Sequence, residues 1–196
     1  MREPGAARHF RYATRILPGL SVDGVGVFAG ERWRRDGSRT SALRFRGTHQ
    51  LSPIGAGSGY WRYQPTESGV RFLTGYDYRP AWGRAGRAAD LVVRPLMGWA
   101  TAWSFDRLRL WLERGVTPRR ALHHAVIEVV VRASLPVLVG VAAPAPVRVP
   151  VTTILVVAAA LIPPLPDTPA ARRCQRKPAA PNISRPPSLL TTLKRA

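Results

Sequence analysis

The N-terminal part of the chain alternates apolar with polar positions in short runs that turn residues separate. Over residues 8–16, Phe10, Tyr12 and Ile16 alternate with Arg11 and Arg15, and this period of two indicates a half-buried strand. The same pattern predicts strands over residues 21–29, 31–35, 38–46, 59–64 and 70–78. Because no helical segment intervenes, we predict an antiparallel meander.

Two stretches between these strands are rich in turn residues. Asp36-Gly37 lies between two of the runs, and a glycine readily adopts the positive φ that a tight hairpin turn needs. Residues 54–58 are rich in Gly and Ser, which predicts a loop.

A helical pattern replaces the alternation from Gly83 to Arg114. Its apolar positions recur at helical spacing, and Asp106 falls on the same arc. Gly115 predicts the end of the helix, and Pro95 predicts a kink or a restart within it. The apolar stripe consists of Val92, Leu96, Trp99, Trp103 and Leu110. An aromatic sheet face and a Trp-rich helix are both buried if the sheet curls around the helix, and apolar ligands bind in the gap that such packing leaves.

Residues 119–165 contain two aliphatic blocks, 125–143 and 151–162, which predict a hydrophobic helical hairpin. A helix that spans a membrane needs about 20 apolar residues, so the hairpin is a possible transmembrane pair. Basic residues flank the hairpin on both sides, which predicts a cell-membrane protein with its β-domain on the cytoplasmic side. Glu128 and Arg132 would be costly at mid-bilayer, so two buried helices or a re-entrant hairpin remain alternatives.

Composition adds a disordered tail and a strong positive charge. Residues 166–196 are rich in Pro and Arg and poor in apolar residues, which predicts disorder. The net charge of +19 suits anionic lipid headgroups as well as nucleic acid. Because the Arg residues are interleaved along the strands and do not gather on one face, we expect no nucleic-acid partner. The single cysteine, Cys174, can form no internal disulfide, and the first residues contain no secretory signal.

Three runs of sequence resemble a known family. These are residues 71–79, the pair Trp82-Gly83, and residues 94–113, with weaker matches at 36–45 and 59–61. Together they resemble bacterial SRPBCC (START-like, polyketide cyclase-like) proteins, in the branch that is fused to a DoxX-like membrane region. The resemblance covers about residues 10–115.

The resemblance implies an α+β helix-grip fold, in which a curved antiparallel sheet wraps around a long C-terminal helix and encloses a hydrophobic cavity. Such domains usually begin with a strand and two short helices, so we expect residues 1–118 to be an N-terminally truncated version. The hairpin (119–165) and the tail (166–196) would follow. The edge strand left open at residues 8–16 would invite self-association. The cavity would be lined by Phe45, Tyr60, Phe72, Tyr76, Trp99 and Trp103, with Asp106 beside them.

The chemistry of the chain predicts binding without catalysis. His9, His49, His123 and His124 show no metal-ligand spacing, and no catalytic triad is evident. We therefore expect a non-enzymatic module that binds an apolar small molecule or lipid and needs no cofactor. Two alternatives remain: a cyclase- or dehydratase-like enzyme that uses Asp106 or Asp77 as an acid/base, and a basic nucleic-acid-binding protein. For both carboxylates an ion pair is the simpler role, with Arg107, Arg109 or a strand Arg for Asp106, and with Arg62 or Arg44 for Asp77.

Overall fold

The computed structural model describes residues 9–17, 20–174 and 187, and the chain divides into two compact units between Arg94 and Pro95. The first unit contains a five-stranded antiparallel sheet in the order β1-β2-β3-β4-β5. Its strands are β1 (His9–Leu17), β2 (Leu20–Trp33), β3 (Arg39–Gly47), β4 (Ile54–Thr66) and β5 (Gly69–Pro80). Three α-helices follow in the described part of the chain, so the α+β class and the antiparallel meander are confirmed. β1 lies at an edge of the sheet, as predicted, and self-association through it stays a prediction.

Two details of the sheet differ from the prediction. The runs 21–29 and 31–35 form one strand, β2, with a register shift between Phe28 and Gly30. The loop predicted at 54–58 is wrong, because these residues begin β4. The small residues at the start of β4 leave room for the ring of Phe45 on the neighbouring strand β3. A Cβ on Gly57 would lie 2.6 Å from the Cζ of Phe45.

Most of the aromatic side chains of the sheet lie on one face. The cross-strand pairs Phe45↔Gly57, Gly57↔Tyr78 and Tyr63↔Phe72 place these residues on the same side. Tyr76 pairs with Gly59 and shares that side. Tyr60 pairs with Ala42 and Gly75 instead, so it lies on the opposite face, where its ring covers Gly75.

The first turns of α1 (Gly83–Arg114) are tied to the end of β5. The buried Tyr78 donates its hydroxyl to Asp90 Oδ1 at 2.5 Å, and Arg94 donates to Asp90 Oδ2 at 2.8 Å. Burial, followed by the bond to Asp90, raises the pKa of Tyr78 to about 12. Arg94 of α1 lies 3.4 Å from Asp77, a partner that the sequence did not suggest beside Arg62 and Arg44.

The helix α1 continues through Pro95 without a restart. The proline cannot donate the backbone bond that would continue the helical ladder, and the two units divide at this point. Gly115 ends the helix as predicted, with a φ of 66° and its amide bonded to Trp111 O at 3.1 Å. Within the first unit, Val92 is largely exposed and the sheet does not cover it.

In the second unit α2 (Pro118–Ala142) and α3 (Ala145–Leu161) pack together as the predicted hairpin. Its 17 residues give α3 a length of about 25 Å at about 1.5 Å per residue. Residues 166–174, which the sequence assigns to a disordered tail, instead fold and include a short 3-10 helix, Ala171–Arg173. The rest of the predicted tail lies outside the described residues, Pro187 excepted.

Candidate functional site

The second unit contains a pocket of about 890 Å³ between the C-terminal half of α1, α2 and the segment that follows α3. This volume lies within the range of about 300–1,000 Å³ that is usual for small-molecule sites. The wall is mainly apolar, with Trp99 and Trp103 on one side and Val126, Val129 and Val130 on another. It is completed by Ala125, Glu128, Arg132, Pro164, Thr168, Pro169, Ala170, Ala171, Arg172 and Cys174.

The two tryptophans form one wall because they are four residues apart on α1. Their ring centroids lie 6.4 Å apart and the planes are nearly parallel. The guanidinium of Arg107 lies over the Trp103 ring at 4.9 Å and donates to Pro118 O at 2.8 Å. Trp103 thus packs against a guanidinium that is itself held by the backbone, whereas Trp99 is 50% exposed and available to a ligand.

Two charged residues within the apolar part of α2, Glu128 and Arg132, bind backbone groups at and after the end of α3. Arg132 donates to Glu128 at 2.5 Å, one turn earlier on α2. The same guanidinium donates to Ala159 O at 2.6 Å and to Ile162 O at 2.7 Å, carbonyls that have no helical partner at a C-terminus. These contacts explain how two charges are accommodated in an aliphatic helix.

The segment 163–174, here called the strap, forms the remaining wall of the pocket and is held by Asp106. The fully buried carboxylate of Asp106 accepts a bond from Ala170 N at 2.7 Å and from Arg173 at 3.1 Å. A third donor, Arg109, lies at 2.8 Å on the same helix. Buried charges of this kind are tolerated only where donors surround them, and here three do so.

Arg173 also binds three backbone carbonyls within the strap. It donates to Thr168 O at 2.5 Å, to Leu165 O at 2.8 Å and to Pro164 O at 2.9 Å. In addition, Arg114 of α1 pairs with Asp167 at 2.7 Å. The strap therefore has a fixed backbone although it contains only one turn of helix.

Asp106 belongs to a row of buried residues that are four positions apart on α1. Ala102, Asp106 and Leu110 are the buried positions on this half of α1, and Ala170 and Ala171 of the strap are buried as well. Small side chains on the strap allow its backbone to approach the carboxylate closely. Asp106 is thus part of the support behind the pocket and does not line it.

The residues that the sequence grouped into one site belong to two different units, which are described separately. Trp99 and Trp103 line the pocket, with Asp106 behind it. Phe45, Phe72 and Tyr76 share the aromatic face of the sheet in the first unit. Tyr60 does not share that face, which corrects its predicted position. Sequence reasoning missed α2 and the strap as walls of the pocket; the helical spacing of Val126, Val129 and Val130 was a signal for α2, but no local pattern marked the strap.

In comparisons with known proteins, the chain is similar in sequence to a membrane protein. It is 46% identical over 129 residues to the protein named "Uncharacterized membrane protein YndG" of Bacillus subtilis (strain 168), a match that covers 65% of this chain and 48% of the relative. The chain thus spans about half the length of this relative. No family model matches the chain, and no solved structure shows a significant match.

One helix in the described part of the chain has the length and apolar composition to cross a membrane. This helix is α2, whereas α3 is shorter. The core helix of a soluble domain is mostly buried, but little of α2 is buried within this molecule. An apolar helix that is exposed on most sides is typical of a lipid-facing segment.

The support given by Asp106 yields the first prediction. Asp106→Asn keeps one acceptor oxygen but removes the charge that two guanidinium groups share, so we expect the strap to loosen. The free energy of unfolding should fall by an amount at the lower end of about 3–5 kcal/mol, because both arginines reach water. Limited trypsin digestion, followed by mass spectrometry, should show faster cleavage after Arg172 and Arg173.

Asp77→Asn is the matched control, because its carboxylate is mostly exposed and contacts Arg94 in the other unit. It should leave the rate of strap cleavage unchanged. Equal cleavage rates in Asp106→Asn and the unaltered protein would contradict the assigned role of Asp106.

Proposed function

We propose that this protein is a membrane-attached, non-catalytic module that holds an apolar ligand in the pocket beside Trp99 and Trp103. The observation that carries the proposal is the pocket itself, which combines about 890 Å³ with mainly apolar walls. Burying apolar ligand surface against such walls is favourable by about 25 cal/mol per Å². The neighbouring carboxylates, Asp106 and Glu128, are each bound to arginine, which supports a binding role over acid/base chemistry.

The hairpin supports attachment to the cell membrane. α2 offers exposed Val, Ile and Leu side chains along its length, and α3 is apolar as well. Arg119 and Arg120 begin α2, and the contacts of Arg132 hold the end of α3 beside the same helix. By the positive-inside rule this arrangement favours a cytoplasmic position for the basic end of α2 and for the β-domain.

The SRPBCC-like, helix-grip assignment belongs to the same proposal. Its support is the antiparallel sheet of the first unit, on one face of which Phe45, Phe72 and Tyr76 are half-buried, and the long helix α1 that follows β5 along the chain.

Membrane attachment is tested by placing a charge on α2. Val137 is 63% exposed, and Val137→Asp should reduce vesicle binding at least about tenfold, since an acidic side chain at mid-bilayer costs about 2.5–3.5 kcal/mol. Leu91→Asp on α1 is the control, because Leu91 is 80% exposed and lies outside the hairpin. Vesicle co-sedimentation measures both. Equal binding of Val137→Asp and the unaltered protein would refute attachment through α2.

Ligand binding is tested with a long-chain fatty alcohol that carries a photoreactive diazirine. Reconstituted protein should be labelled on the peptides that contain residues 125–130 and 168–174, because these line the pocket. Trp99→Ala should lower that labelling at least about fivefold by removing a large apolar contact surface.

The control for this experiment is Trp111→Ala, on the same helix and 49% exposed but outside the pocket. It should leave the labelling of these peptides unchanged. Labels spread evenly over the exposed surfaces of α2 and α3, with no dependence on Trp99, would show that the pocket holds no apolar ligand.

A further inference from the structure

Three charged side chains line the pocket, and two of them are already paired. Glu128 and Arg132 bind each other, and Arg132 also donates to the backbone at the end of α3. The third, Arg172, has no hydrogen bond or ion pair with any described residue, and its side chain is exposed. One negative and two positive charges leave the pocket with a net charge of +1, which resides on Arg172.

The strap holds the backbone of Arg172 in place while its side chain stays free. On one side of it, Ala170 donates its amide to Asp106 at 2.7 Å, and Arg173 N bonds to Ala170 O at 3.0 Å. On the other, Cys174 Sγ bonds to Ala102 O at 3.2 Å. The adjacent arginines therefore have different roles: Arg173 binds Asp106 and the carbonyls of the strap, and Arg172 faces the pocket.

We propose that the pocket selects a single-chain anionic lipid, whose acyl chain lies against Trp99 and Trp103 and whose head group is bound by Arg172. This inference rests on the proposed function and specifies its ligand. A guanidinium binds a carboxylate or a phosphate through two parallel hydrogen bonds, and such charge-assisted bonds are strong beside an apolar wall. The salt bridge to Arg132 balances the charge of Glu128, so no free negative charge in the pocket opposes the head group.

The experiment compares ligands that share a chain but differ in the head group. A long-chain fatty acid, the lysophosphatidic acid with the same chain and the corresponding fatty alcohol each compete with the diazirine probe for labelling of the pocket peptides, at a pH where the carboxylic acid is ionised. The acid or the lysophosphatidic acid should compete about tenfold more strongly than the alcohol. The stronger of the two identifies a carboxylate or a phosphate as the preferred head group.

Arg172→Gln should abolish the preference for the anionic ligands and leave competition by the alcohol unchanged, which also shows that the variant is folded. Arg172→Lys should restore part of the preference, because lysine keeps the charge but not the two parallel bonds. Arg119→Gln is the matched control, an exposed arginine that does not line the pocket, and should retain the full preference.

Each other outcome overturns a defined part of the account. Equal competition by all three ligands would refute the role of Arg172 while leaving an apolar pocket. Loss of the preference in both Arg119→Gln and Arg172→Gln would assign it to the general positive charge of the protein. A failure of every ligand, the alcohol included, to compete in the unaltered protein would refute the proposed function itself.

Discussion

The buried carboxylate of Asp106 is the contact on which the second unit depends. It joins α1 to the strap across 64 residues of sequence, through Ala170 N and Arg173. Burying a carboxylate is costly, and the cost is offset only because three donors surround it. The same contact fixes Ala171 and Arg172, which line the pocket. The buried charge of Asp106 thus both forms the ion pair with Arg173 and positions the wall of the pocket.

The charges of the hairpin follow the same physical rule. Glu128 accepts a bond from Leu165 N at 3.1 Å, and Arg132 satisfies carbonyls at the end of α3. The two charges neutralise each other; Glu128 also binds an amide of the strap, and Arg132 supplies carbonyls at the end of α3 with the bonds that a helix end lacks. The hairpin can therefore expose aliphatic side chains outward and still contain an ion pair at its base. Because both charges are paired, their presence is compatible with an apolar environment around the hairpin.

Local patterns sufficed to predict much of the fold. The period of two predicted the strands, and the change to a helical spacing predicted the bounds of α1, because side chains alternate between two faces in a strand and recur every three or four residues in a helix. The start of β4 was missed because its small residues are covered by the ring of Phe45 on a neighbouring strand, which no local signal reveals. Tyr60 was assigned to the wrong face because the side on which a residue lies depends on cross-strand register.

The site was harder to predict than the fold for a related reason. Trp99 and Trp103 could be recognised from their spacing on one helix. The strap could not, because its composition is that of a disordered segment and its order comes from Asp106, far away in sequence. Sequence reasoning considered Arg107, Arg109 and strand arginines as partners of Asp106, but not Arg173. Ion pairs between residues far apart in sequence produce no periodic pattern, so they are recognised only when the fold is known.

A double-mutant cycle between Asp106→Asn and Arg173→Gln tests the central claim most directly. The free energy of unfolding and the photolabelling of the pocket are both measured for the two single variants and the double variant. If the pair holds the strap and thereby the pocket, the effects are non-additive, with a coupling of about 1–3 kcal/mol, and all three variants lose labelling. Additive effects within about 0.5 kcal/mol, or full labelling in the double variant, would contradict the account.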